Sequence, residues 1–253
     1  MTYGTKIRTL LLINIALCSY TVWWCTTNQR WDIFWIGIAW ALFAIGVGSF
    51  AGWHRYWSHK SYETGSIRKN IMSWLGILGL TGAPIHVIAV HRIHHANSDK
   101  EHDPHCPTDT PWYKLLFGYY KTFNARPKML RDVVRDRQLR FIQKHYFKIH
   151  TYGVIFCFAV HPVLAGILFS FPIVYCYIAG IGGNAILNHL WGSQDHRTKD
   201  HSTNNWLIAL ISLGEGWHNN HHAKPLRYTT QEKWWQFDPV GWWIKYVWAT
   251  KLG

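Results

Sequence analysis

From Trp31 to Trp53 the chain is an almost unbroken apolar run with aromatic residues at both ends. At 1.5 Å per residue it is long enough to cross a hydrocarbon core of ~30 Å. In lipid the backbone of such a run has only itself to bond with, so the run must be helical. Another run, Leu10 to Cys25, precedes it, flanked by Lys6 and Arg8 and ending in Trp23 and Trp24. The polar link Thr26 to Arg30 makes the two a hairpin. A second hairpin is expected over 152–169 and 172–191, with Phe171-Pro172 as its turn and His161 inside its first helix, since a proline kink at Pro162 is tolerated in membranes. The expected fold class is an all-α integral membrane protein with four transmembrane helices in two hairpins, over 10–25, 31–53, 152–169 and 172–191. At this length it is one domain, 1–253.

The polar residues fill 54–151 and 192–253, which are expected to form a cap. Formal charge is +13, from 26 basic and 13 acidic residues, and the links on the far side of the hairpins hold only Arg30. The excess of Lys and Arg therefore places both termini and the cap in the cytoplasm of a multi-pass protein. The run Ile71 to Val90 is interrupted by Gly76, Gly79, Gly82 and Pro84. It is expected to lie in the interface or pack on the other helices, because a fifth crossing would put histidines on opposite sides of the membrane. The charge suits anionic headgroups or an acidic carrier, and nucleic acid is excluded as a partner because no basic and aromatic module pattern is present. Five cysteines lack C-x-x-C spacing, and four lie in apolar runs where they act as small hydrophobes, so no disulfide framework is expected. The first apolar run has no clear small-residue cleavage site and is expected to stay as a helix rather than be removed as a signal.

Three histidine clusters stand out: His54-Arg-Tyr-Trp-Ser-His59, His91-Arg-Ile-His94-His95 and His218-Asn-Asn-His221-His222. With 17 histidines in 253 residues, the pattern H-x-x-H-H is expected by chance only ~0.1 times in the chain, and it occurs twice. Residues three and four apart share a helix face, so such imidazoles converge on a metal. His54 and His59 are five apart and cannot share a face of a regular helix, which predicts that the helix ends between them. Imidazole suits zinc, copper, iron or nickel. Eight clustered histidines exceed what one tetrahedral zinc uses, and no H-E-x-x-H is present, so two metal ions are expected. The scattered histidines 86, 102, 105, 145, 150, 161, 196 and 201 are read as surface or hydrogen-bonding groups.

These clusters resemble the histidine boxes of the membrane fatty acid desaturases of the stearoyl-CoA desaturase type, H-x-x-x-x-H, H-x-x-H-H and H-x-x-H-H. The likeness extends to Ser98-Asp99 and Asp103-Pro104-His105 after the second box and to Gly214-Glu215-Gly216-Trp217 before the third, and covers about residues 30–245. It implies four transmembrane helices under a cytosolic helical cap that holds a di-iron centre (Fe2+/Fe3+), with O2 as co-substrate and a cis double bond as product. The acyl group is then carried by CoA, acyl carrier protein or a lipid. The resemblance also implies a ninth ligand, His189, in His189-Leu190-Trp191-Gly192. The family's asparagine, which reaches metal through water, falls on Ala185, so the neighbours Asn184 and Asn188 are the candidates for that contact. Asp99, Asp103 and Glu215 are expected behind the ligands, orienting histidine N–H groups.

The acyl chain is expected in a tunnel past Gly46, Phe50 and Trp53. Gly46 and Phe50 sit eight and four residues before His54, and Gly46 is expected to set chain length. Gly180, Gly182 and Gly183 also leave room near it. No flavin fingerprint, iron-sulfur cysteine set or fused cytochrome motif is present, so electrons are expected from an external ferredoxin or cytochrome b5 drawn to the basic cap. Two other readings compete. One is a hydroxylase or acetylenase on the same scaffold. The other is a non-enzymatic membrane haem or metal-transport protein, which would set histidines in mid-helix rather than at helix ends.

Overall fold

The computed structural model describes residues 1–119 and 125–253. Among the described residues, six long helices carry the architecture: α1 Tyr3–Thr27, α2 Trp31–Ser58, α3 Ser66–Gly79, α4 Pro84–Asn97, α5 Arg137–Val160 and α6 Pro162–His189. Three of these, α1, α2 and α6, are long and apolar enough to cross a membrane, and a fourth span results if α3 and α4 count as one broken crossing. Shorter helical segments follow, among them Trp206–Ile211, α7 (His218–Ala223) and a tail helix of Pro239–Trp243 running into Ile244–Trp248. The strand residues are few: Tyr62 pairs antiparallel with Leu252 and Glu63 with Lys251, tying the tail to the segment after α2.

The spanning helices are apolar outside and polar inside. Leu12, Ile13, Trp35, Ile36 and Ile178 are exposed, while Asn14, Thr21 and Ser170 are fully buried. Asn14 donates to the Leu10 carbonyl at 2.8 Å, and Ser170 donates to Asn14 Oδ1 at 2.9 Å. This polar contact joins α1 to α6, and in lipid such bonds and close packing replace the hydrophobic drive between helices.

The second helical pair turns at a different place from the one expected. α5 ends at Val160, His161 is extended (φ −165°, ψ 134°), and α6 begins at Pro162. A residue before proline is pushed out of the α region, and proline is favoured at the first helical position. His161 Nδ1 also accepts from the Val163 N–H at 3.2 Å and caps the new helix. The expected span 152–169 is thus corrected to two pieces on either side of this turn. The expected turn at Phe171-Pro172 is corrected to helix interior. Pro172 cannot donate to the Leu168 carbonyl, and the Trp40 indole N–H of α2 donates there instead, at 3.2 Å. The turn of α6 just before it, Gly166–Ser170, is a wider π turn that relieves the ring clash.

π-helical turns recur where the site is built. The last half of α2, Gly46–Ser58, is π-helical, as is Tyr177–Ile186 in α6. α2 therefore continues through box one instead of ending between its histidines, and the His59 N–H bonds the His54 carbonyl at 3.2 Å. With i→i+5 bonding, residues five apart share a face. α3 lies against this half so closely that a Cβ at Gly48 would come within 2.4 Å of the Gly76 nitrogen. The apolar run Ile71 to Val90 is not one helix: it breaks at Leu80 (φ 51°) and Gly82 (φ 136°), and α3 and α4 meet at 84°. That bend brings α4 back under the ends of α2 and α6, over a core that includes Ile88, Leu139, Ile142 and Tyr146.

Candidate metal centre

Nine histidines converge in two groups, each with its ligand atoms within 4.8 Å of one another: His54, His59, His91, His95 and His221 in the first, and His94, His189, His218 and His222 in the second. The π turn of α2 puts His54 and His59 on one face. The two H-x-x-H-H boxes divide their residues in opposite ways. In α4, His91 and His95 (i, i+4) serve the first group and His94 the second. In α7, His218 and His222 (i, i+4) serve the second group and His221 the first. Each box therefore spans both positions from one or two helical turns. His189 enters from the end of α6.

Buried carboxylates hold the rings. His54 Nδ1–H donates to Glu215 Oε2 at 2.6 Å, and His94 to Asp103, His189 to Asp99 and His222 to Asp200, each at 2.8 Å. With the proton held on Nδ1, the Nε2 lone pairs point inward. His54 Nε2 lies 3.0 Å from His221 Nε2, His95 Nε2 3.1 Å from His221 Nε2, and His189 Nε2 3.1 Å from His218 Nε2. His94 Nε2 and His222 Nε2 are buried with no hydrogen-bond partner. A buried imidazole nitrogen with no hydrogen-bond partner is satisfied by a cation, and the Nε2 atoms of His94 and His222 are in that position. The donor set therefore fits two metal ions, one with five imidazoles and one with four.

The electrostatics agree with neutral ligands. Burial, and then the charge other histidines would carry, holds His59, His218 and His221 well below the ordinary imidazole value. Burial would raise the Glu215 carboxyl, but Arg55 and His54 hold it below its ordinary value. Asp200 is likewise held down by His222 against burial.

Two supports were invisible in the histidine pattern. Asp200 lies in a polar stretch without a motif and was not singled out. Arg55, inside box one, is only 1% exposed and is locked by two carboxylates. Its Nε donates to Glu215 Oε1 at 2.9 Å, and its Nη1 and Nη2 donate to the two Asp238 oxygens at 3.0 and 2.9 Å. Because Glu215 also accepts the hydrogen bond from His54 Nδ1–H, this network ties box one to the loop before box three.

An apolar cavity of about 150 Å³ runs from the histidines down between α2, α4 and α6. His54, His91, His94 and His218 head it, Phe50, Trp53 and Ser49 wall it from α2, and Cys176, Gly180 and Asn184 wall it from α6. Gly46 is not part of it. It lies in a separate apolar groove with Leu213, Val240 and Trp243. The wider π turn is the cause: five residues back from His54 the face passes through Ser49 and turns Gly46 away. On α6, the same geometry puts Asn184, five residues before His189, at the cavity wall. Asn188 Nδ2 donates to its Oδ1 at 3.1 Å.

A family model for fatty acid desaturases matches residues 30–250. The chain is 29% identical over 233 residues to the probable chloroplastic lipid desaturase of Arabidopsis thaliana, covering 88% of this chain and 63% of that protein. It is 30% identical to an acyl-CoA C20 Delta5-desaturase of Anemone leveillei, with 85% and 70% covered. It is 31% identical to an sn-1 stearoyl-lipid 9-desaturase of Anabaena variabilis, with 84% and 79% covered. The chain thus spans a little under two thirds of the first of these relatives.

Proposed function

This chain belongs to the fatty acid desaturase family, a family of oxidoreductases, and on that premise we propose that it inserts a cis double bond into a fatty acyl chain. The observation that carries the reading is the pair of convergent histidine groups at the head of an apolar cavity. The nine histidines would hold two irons, which when bound activate dioxygen toward an unactivated methylene. The chain's own residues do the positioning. Phe50 and Trp53 wall the acyl chain and exclude water, and Asp99, Asp103, Asp200 and Glu215 hold the Nδ1 protons of His189, His94, His222 and His54 so that the Nε2 atoms of these four stay available.

The termini of α2 and α6 support a cytoplasmic site. Their turns at 28–30 and at His161 lie at the opposite helix ends from His54 and His189, and the cationic segments lie with the histidines. Both termini and the cap, 54–151 and 192–253, are assigned to that side. Expression in a desaturase-deficient host followed by fatty-acid analysis tests the proposal. New monounsaturated chains are expected, whereas hydroxylated or acetylenic products would move the chain to the sister chemistry, and no new product would remove it from both.

Asn184, rather than Asn188, is the residue assigned to the water-mediated metal contact, because it lines the cavity while Asn188 lies behind it. Asn184→Ala is expected to lower iron affinity or turnover by about 10- to 100-fold, the usual scale for a supporting contact. Asn188→Ala should lose less, and equal turnover in wild type and N184A would assign the contact to water alone.

Chain length is assigned to Gly180. A Cβ there would meet nothing nearer than Cys176 Sγ and Phe50 Cε1, both at 3.6 Å, so a larger side chain extends into the cavity without displacing backbone. Gly180→Leu is expected to shift products toward shorter chains, since overpacking an apolar site costs about 1–3 kcal/mol, or tenfold and more in selectivity. Gly46→Leu fills the other groove and should leave the profile unchanged. Gas chromatography of products made from mixed acyl chains reads both, and the opposite pattern would return the tunnel end to Gly46.

A further inference from the structure

α1 and α5 lie side by side and run in the same direction. Tyr3 packs on Phe147 at one end, with ring centroids 5.2 Å apart, and Trp24 packs on His161 at the other, at 5.6 Å. Where they leave the histidine-bearing side, the two helices carry one pattern: Lys6-Ile-Arg-Thr9-Leu10-Leu-Leu-Ile13 in α1 and Lys148-Ile-His-Thr151-Tyr152-Gly-Val-Ile155 in α5. A groove of about 300 Å³ lies between them, lined from each helix by the lysine, the threonine and the residue after it, with Phe147 at its head. Positions three, four and seven apart share a helix face. Each helix therefore offers an ammonium, then a hydroxyl about 4.5 Å further on, then apolar side chains about 6 and 10 Å further on. Ile13, Tyr152 and Ile155 are exposed. Both lysines are exposed too, and among the described residues neither is paired with a carboxylate and neither threonine hydroxyl has a hydrogen bond. Thr21, Thr26 and Thr27 of α1, by contrast, donate back to carbonyls four residues earlier. Neither helix contains an Asp or a Glu. Lys6 also stands near the N-terminus of α1, where the helix dipole disfavours a cation and favours an anion, and its Nζ is held over the Phe147 ring at 5.4 Å.

We propose that this groove binds one anionic glycerophospholipid, its phosphate between Lys6 and Lys148, its ester groups at Thr9 and Thr151, and an acyl chain along Ile13, Tyr152 and Ile155. The doubled order of ammonium, hydroxyl and apolar side chain selects this occupant, because it is the order of a phospholipid read from phosphate through ester to chain. A soluble anion would use the lysines alone, and a bare acyl chain would need neither lysine. The site stands apart from the metal centre and does not depend on the desaturase reading, yet it is wired to the centre. Tyr3 packs on Phe147 of the groove and also on His86, a wall of the apolar cavity, with centroids 5.0 Å apart. The Tyr3 hydroxyl accepts from the Ala83 N–H at 2.6 Å, immediately before α4. A lipid held against Phe147 therefore braces the start of the helix that carries His91, His94 and His95.

The test uses the iron-loaded full chain in mild detergent, titrated with phosphatidylglycerol, phosphatidylcholine or inorganic phosphate, with native mass spectrometry counting the lipid retained. Wild type is expected to hold one phosphatidylglycerol at least about tenfold more tightly than phosphatidylcholine, and Lys6→Gln/Lys148→Gln to lose that preference. Arg140→Gln/Lys144→Gln removes two charges from the same helix outside the groove and should bind as wild type does. In nanodiscs, hydrogen exchange at the start of α4 is expected to slow several-fold when phosphatidylglycerol replaces phosphatidylcholine around wild type, and to stay unchanged in K6Q/K148Q. Equal retention by wild type and K6Q/K148Q would overturn the site. Equal loss in R140Q/K144Q would overturn it in favour of general attraction to a basic surface, and displacement of the lipid by inorganic phosphate at equal concentration would overturn it in favour of a free-anion site. Exchange in wild type that ignores the lipid would overturn the brace.

Discussion

Alanine at His221 and alanine at His222 are each expected to lower turnover by on the order of 10³-fold or more, about 4 kcal/mol of transition-state stabilisation. The two residues are neighbours in sequence, yet they serve different groups, with ring centroids 5.8 Å apart and planes at 82°. Each alanine leaves a buried metal position one imidazole short, in a space that water fills poorly. Iron content should fall in both variants while the protein still inserts, because both rings belong to the short helix α7, outside the apolar runs that cross the membrane. A carboxylate behind a ring should matter less. Asp200→Asn keeps an acceptor for the His222 proton and is expected to cost about 10- to 100-fold in metal affinity. Iron per chain by mass spectrometry and product formed per minute check all three. Full turnover with normal iron in either alanine variant would take the histidine groups out of the chemistry.

Replacing Arg55 by leucine is expected to destabilise the folded protein by about 3–5 kcal/mol, because Glu215 and Asp238 are left buried without their counter-charge. Asp238 also accepts from the Gly241 N–H at 2.9 Å and the Thr230 N–H at 2.9 Å, so its loss of a partner loosens the turn that carries the tail helix. Arg55→Lys keeps the charge but cannot reach both carboxylates in the paired geometry of 2.9 and 3.0 Å, and should fall between the two. The pH dependence follows from the depressed carboxyls. Glu215 and Asp238 lie below their ordinary values, burial opposing and Arg55 prevailing. A group with a lowered folded pKa contributes stability that is complete above its unfolded value and is lost as pH falls through the folded one. The network is therefore at full strength at neutral pH and fails on acidification. In R55L burial is opposed only by His54 at Glu215 and by the Gly241 N–H and Thr229 hydroxyl at Asp238, so the two carboxyls rise and the acid limit of stability moves toward neutrality. Thermal unfolding in nanodiscs across pH 4 to 8 reads this shift, and an unchanged acid limit in R55L would show that Arg55 does not hold the pair.

Periodicity made the helices legible, and repetition made the site legible. The apolar runs at 10–25 and 31–53 appear as α1 and α2, because a lipid-facing helix must be apolar over its whole length. The H-x-x-H-H boxes stand out because their spacing matches a helix face. What was hidden came from backbone exceptions to that regularity. Phe171-Pro172 reads as a turn only if the carbonyl that Pro172 abandons has no other donor, and Trp40 supplies one from a helix far away in sequence. His161 reads as helix interior until its own extended backbone is seen. The place of Gly46 and the shared face of His54 and His59 both depend on a π-helical stretch, for which residue pattern gives no signal that differs from an ordinary helix. The buried supports Arg55, Asp200 and Asp238 pair across 22 to 183 positions of sequence, beyond any local rule.

The opposite division of the two H-x-x-H-H boxes has a consequence for how the centre fills. α4 gives two rings to one position and one to the other, and α7 does the reverse. Neither helix can settle around one ion without also presenting its remaining ring to the second position. Part of the ordering cost of the second ion is thus met when the first arrives, which is the thermodynamic definition of positive coupling between two sites. Half-filled protein is then expected to be a minority species, and a chelator that strips one ion is expected to release both.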